Sequence, residues 1–136
     1  GIQAFSRRYF EALREVNPIA IGAFSQDELV SCQLWLAHEG HVYSHLVASS
    51  ERGYSIRAAY AVYDFSLRYF AGQKATLLDL GAGAGVSEAS SGLAMLKKGF
   101  STTSRSCYLC SKIIDPVRYA ELSAGKNTAF FPAYRG

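Results

Sequence analysis

The chain is 136 residues long, with 49% hydrophobic and 18% charged residues. That excludes a disordered chain and matches a single domain with a real core and no need of staples. The formal net charge of +3 favours an anionic ligand locally and argues against a protein that coats DNA. No apolar run reaches the roughly 18 residues that would suggest a membrane span.

Gly1 to Phe10 carries two arginines with no apolar run behind them, so no secretory leader is expected. The chain starts without Met, which leaves room for a preceding domain. The cysteines are Cys32, Cys107 and Cys110. An odd count without a leader points to reduced thiols in the cytoplasm. Cys107 and Cys110 form a solitary CxxC, and no second pair completes a four-ligand zinc site. All three are therefore expected as core cysteines.

Taken in order, Phe5, Tyr9, Ala12, Leu13 and Val16 recur at helical spacing with Arg7, Arg8, Glu11 and Arg14 outside them. This amphipathic helix should end before Asn17-Pro18. Ile19 to Phe24 reads as a short buried strand, followed by the polar turn 25–28. Val30, Cys32, Leu34 and Leu36 alternate with Ser31 and Gln33, the period of a strand. Glu39-Gly40 turns the chain into His41–Ala48. There His41, Tyr43 and His45 should share one face, with Val42, Leu46 and Ala48 on the other.

After a polar turn, Ile56, Tyr60, Tyr63, Leu67 and Phe70 make one apolar stripe on a single long helix stopped by Gly72. Ala75–Leu80 reads as a strand and 81–92 as a Gly/Ala/Ser loop. Leu93–Phe100 reads as a short helix with Leu93, Leu96 and Phe100 inward, and Ser104–Ile114 as a last strand. Asp115-Pro116 has the pattern of an N-cap and first helical residue, opening a helix that runs to Gly125.

Two stretches could carry chemistry. The segment LLDLGAGAG, ending at Gly85, resembles the first motif of class I S-adenosylmethionine-dependent methyltransferases. The context argues against it. No acidic residue stands in SRSCYLCSKI where that resemblance implies a ribose ligand, and the chain after Gly85 is short for the remaining strands. Three antiparallel strands precede it, where that fold implies helices. A glycine loop after a strand is a weak signal by itself.

The other stretch is the turn SSERGYS in front of the long helix. The order helix, strand, hairpin, polar turn, long helix, strand, short helix, strand resembles the GNAT acyltransferases, and more closely their FemAB-like branch. The resemblance rests on HVYSHLVASSERGY, on LDLGAGAG, on LKKGF after the glycine loop and on FFPAYR at the end, over nearly the whole chain. Two departures stand out. Leu96 precedes Lys97 where the branch has Phe, and after Gly53 the turn supplies no second glycine of the usual donor loop.

The resemblance implies an α/β (α+β) fold with a mixed, mostly antiparallel sheet flanked by helices and a splayed central parallel pair of strands. It implies one such domain over residues 1–136, alone or as half of a two-domain protein or homodimer. The activity implied is transfer of an acyl or aminoacyl group, from acyl-CoA (acetyl-CoA) or aminoacyl-tRNA, to a small-molecule or peptide amine, with no tightly bound cofactor or metal. A non-catalytic GNAT-like binding domain is the second class.

In that frame the donor phosphates fall on Ser49, Ser50, Arg52, Gly53, Tyr54, Ser55 and Arg57, because helix N-termini attract anions. An ordinary capped turn explains the same residues. His45 would serve as general base, its unperturbed pKa being near neutrality. A histidine hydrogen-bonded on a sheet surface is the plainer alternative. Lys97 would steady the developing oxyanion, or be one of two exposed lysines. Tyr43, Asp79 and Tyr108 are candidate substrate contacts, Asp79 also being suited to hold the loop after Gly81. Arg135 is a further groove candidate.

Overall fold

Two tight turns organise the sheet. Gln26 and Asp27 both have positive φ (51° and 63°), and so do Glu39 and Gly40 (47° and 80°). Paired left-handed residues match the right-handed twist of flanking strands and close two-residue hairpins. They join β1 (Ile19–Ser25), β2 (Glu28–His38) and β3 (His41–Ser49) into an antiparallel meander. The computed structural model describes residues 5–81, 92–106, 108, 110–126 and 131–135.

The remaining elements are α1 (Arg7–Arg14), α2 (Glu51–Ser55), α3 (Ala58–Gly72), β4 (Leu77–Asp79), α4 (Gly92–Phe100), α5 (Pro116–Ser123) and a 3-10 turn at Ala133–Arg135. The fold is α+β, with a mixed and mostly antiparallel sheet in the order β1-β2-β3-β4. β4 runs parallel to β3, pairing Leu77 to Asp79 with His41 to Tyr43. Among the described residues no strand pairs β3 on that side from Ser44 to Ser49. No helix among them is long and apolar enough to cross a membrane.

One face of the sheet is closed by α3 and α4. Trp35, Tyr63, Phe70, Val62, Ile21, Val42, Leu80 and Leu96 form the buried cluster there. Trp35 meets Phe70 edge-on at 5.2 Å, and Tyr63 stacks on Phe100 at 5.4 Å. Each large side chain buried this way contributes about 1.5–3 kcal/mol. Leu93 and Phe100 also pack inward, as the spacing of α4 required.

The polar members of β2 go inside. Ser31, Gln33 and Trp35 are fully buried, whereas Cys32, Leu34 and Leu36 are only half-buried on the opposite face. The indole of Trp35 decides this, since an aromatic buries more area than either leucine beside it. Gln33 Nε2 donates to Ser44 Oγ at 2.8 Å. The Tyr63 hydroxyl sits against Ser44 and Gln33, which soften the rise that burial imposes on its pKa, though the geometry closes no hydrogen bond from it.

Three further expectations are corrected. The single long helix is two: Arg57 is left-handed (φ 56°) and separates α2 from α3. The break rotates the buried stripe to Ala58, Val62, Tyr63, Ser66 and Phe70, leaving Ile56 and Tyr60 exposed. The described residues of 104–114 form no strand, and Cys110 is exposed rather than core. Cys107 lies outside the described residues. The last helix agrees with its sequence signals: Asp115 Oδ1 accepts from Arg118 N at 2.9 Å, and Pro116 is its first residue.

Candidate functional site

The parallel pair puts Tyr43 and Asp79 side by side. Both face away from α3, because Val42 and Leu78, their neighbours along the strands, pack into the core. Asp79 Oδ1 accepts a hydrogen bond from Gly81 N at 2.7 Å, which bends the chain off the end of β4. Gly81 has φ +70°, and a Cβ there would lie 3.5 Å from the Tyr43 hydroxyl and 3.6 Å from Lys97 Nζ. The phenol and the amine therefore converge on the same glycine.

Lys97 reaches it from α4, donating to Gly81 O at 3.4 Å. Burial lowers the pKa of this amine, and the nearby Asp79 carboxylate opposes the shift. A partly desolvated ammonium beside a phenol O–H is a ready donor pair for an oxygen that gains negative charge.

His45 joins this face through a bulge. Leu34 pairs with Leu46 and Trp35 with Ser44, so His45 has no residue opposite it. The bulge lets His45 and Leu46 both turn outward. The expected grouping of Leu46 and Ala48 with Val42 is thereby corrected, because register beyond the bulge puts Val47 and Ser49 opposite the buried Gln33 and Ser31. The Tyr9 hydroxyl of α1 hydrogen-bonds His45 Nε2, and the two rings lie end to end with their planes 24° from parallel. Sequence reading passed over Tyr9, which sits in the apolar stripe of α1 and looked like core. Phe5, four residues earlier, stacks against it at 4.5 Å.

An open groove of about 490 Å³ runs along this face, lined by Val16, Leu36, His41, Tyr43, Leu77 and Asp79 among others. That is within the roughly 300–1,000 Å³ range of small-molecule clefts, and its lining is largely apolar with a few polar groups.

The turn at the other end of β3 is built differently. Ser49 shares a hydroxyl hydrogen bond with Ser31 at 2.9 Å. Ser50 caps α2 by accepting from Gly53 N at 3.1 Å, and its own N–H donates to Val30 O. Arg52 donates to Ser25 Oγ at 3.1 Å and to Gln26 Oε1 at 2.8 Å, pinning the first hairpin turn. Ser55 Oγ turns back to Arg52 O at 2.8 Å. Gly53 is required by β2: a Cβ there would lie 1.9 Å from Val30 O. Tyr54 is exposed. The left-handed Arg57 stands at the start of α3, whose N-terminus has no side-chain cap.

Of the sequence candidates, Tyr43, Asp79 and Lys97 thus come together, with His45 two residues along β3 from Tyr43. Residues 49–57 form a separate group. Ser49 lies six positions along β3 from Tyr43, roughly 20 Å of strand. Tyr108 is 85% exposed, and no contact joins it to either group among the described residues. The glycine loop from Ala82 to Ser91 lies outside the described residues, as does the Arg135 side chain. No family model and no curated protein matches the chain.

Proposed function

We propose that this domain transfers an acyl or aminoacyl group from acyl-CoA or an aminoacyl-tRNA to an amine acceptor. The observation that carries the reading is the convergence of Tyr43 and Lys97 on Gly81, beside Asp79, where the chain leaves the parallel pair. The donor phosphates meet the uncapped N-terminus of α3 beside Arg57. The donor arm extends along β3, and its carbonyl oxygen lies between the Tyr43 hydroxyl and Lys97 Nζ. The Asp79 carboxylate draws the cationic acceptor into the groove, where it gives up a proton to water before it reacts. As the neutral amine adds to the carbonyl carbon, the oxygen gains charge and both donors strengthen their hold on it. The adduct then collapses, breaking the C–S bond to coenzyme A or the C–O bond to the tRNA ribose, and the nitrogen's surplus proton passes to the departing thiolate or alkoxide. The setting is cytoplasmic, where such donors are made.

The test is a nitrogen-15 NMR titration with acetyl-CoA, a longer acyl-CoA and an aminoacyl-tRNA. Shifts at Arg57 and Ala58 together with Gly81 and Lys97 are expected for one donor. No shift at either place with any donor would sink the reading. Binding without turnover would make this a non-catalytic domain of the same kind. Heat of binding with S-adenosylmethionine, measured by calorimetry, would favour methyl transfer instead.

A further inference from the structure

α1 is attached lightly. None of its residues is buried, and among the described residues its one side-chain hydrogen bond to the sheet is that from Tyr9 to His45. The bond is specific in its chemistry. A neutral imidazole has one protonated nitrogen and one bare nitrogen, and the partner of one sets the state of the other. A phenol O–H is a strong donor and a bare imidazole nitrogen a strong acceptor. The arrangement O–H···Nε2 is therefore favoured over the reverse, and it leaves the proton on Nδ1. The Tyr43 ring also lies near the imidazole, its centroid 6.3 Å away and its plane tilted by 47°.

We infer that Tyr9 is a positioning residue for His45: it holds the imidazole in the Nδ1–H form, so that His45 meets a ligand as a hydrogen-bond donor and not as the general base. The lone pair on Nε2 is occupied while α1 is docked. The Nδ1–H is then the polar group the ring has left to offer, two residues along β3 from Tyr43. The role of the donor rests on the acyl-transfer reading, but the protonation state of the ring does not.

The experiment reads the two separately. Long-range proton–nitrogen correlation spectra of the labelled chain at neutral pH should show His45 protonated on Nδ1 and bare on Nε2. In Tyr9→Phe, which keeps the ring and loses the hydroxyl, the proton should move to Nε2. A wild-type His45 protonated on Nε2, or a ring unchanged by Tyr9→Phe, overturns the inference. The wild-type spectrum decides by itself if the variant does not fold. With turnover measured, Tyr9→Phe should lower kcat by about tenfold with KM unchanged, the worth of one good hydrogen bond. His45→Asn, whose amide can replace an Nδ1 donor, should retain more turnover than His45→Ala, and equal loss in both counts against a donor. Absence of turnover in the wild-type chain fails the acyl-transfer reading alone, and the spectra still judge Tyr9.

Discussion

The two ends of β3 are polar in sequence and opposite in construction. At the Ser49 end almost every polar group is spent inside the fold. Ser49 answers Ser31, Ser50 caps α2, Arg52 pins the turn 25–28, and Gly53 lies against the backbone of Val30. At the Tyr43 end Asp79, Lys97 and His45 also have internal partners, but Tyr43 and Asp79 border a groove and burial lowers the pKa of Lys97. The difference teaches that a Ser/Arg/Gly-rich turn before a helix is not by itself an anion cradle. What matters is whether its donors are already satisfied.

The sharpest way to break this comparison is Gly53→Ala. The new methyl would overlap Val30 O, so a loss of about 3 kcal/mol or more is expected, read as a large fall in the thermal unfolding midpoint. A variant that folds normally and loses only donor binding would return the glycine to a ligand role.

Next in size is Lys97→Met, which keeps the apolar stem and removes the ammonium. Turnover should fall about 100-fold, the cost of one oxyanion donor, with circular dichroism unchanged. Full activity in a folded Lys97→Met chain would move the chemistry away from Gly81.

The pH dependence is smaller and has a definite sign. The amine of Lys97 has its pKa lowered in the folded chain, so between that value and the ordinary 10.5 the unfolded chain binds more protons. Unfolding free energy from this group therefore rises with pH across that window. Cys32 and Tyr63, raised by burial from 9.0 and 10.0, act oppositely at the alkaline end, holding protons that the unfolded chain has lost. The difference between wild type and Lys97→Met in urea midpoints isolates the lysine. A flat difference across the window would contradict its desolvation.

The smallest effect is expected from Arg52→Ala. Its contacts are surface ones, so stability should fall by under about 1 kcal/mol, and donor affinity should not change. A loss of affinity of about tenfold or more would give the turn a part in binding after all.

Much of the fold was legible in the chain. The hairpin turns at 26–27 and 39–40, the Asp115-Pro116 helix start and the inward residues of α4 all follow from local chemistry. Local rules reach these features because a turn or a cap is decided by residues within one helical turn or hairpin of each other. The candidates Tyr43, His45, Asp79 and Lys97 came from strand alternation and from the resemblance, and the fold brings Tyr43, Asp79 and Lys97 to one place.

Other features depended on neighbours distant in sequence. Which face of β2 was buried turned on Trp35 finding Tyr63 and Phe70. The single residue of slip at His45 reset the faces of β3 beyond it, and period-2 reading has no way to see such a bulge. The left-handed Arg57 split a continuous apolar stripe. Tyr9 became a partner of His45 because α1 rests on the outer face of the sheet. Side-chain identity and spacing thus determined the elements and the reactive groups, while packing across the sheet decided which of those groups face one another.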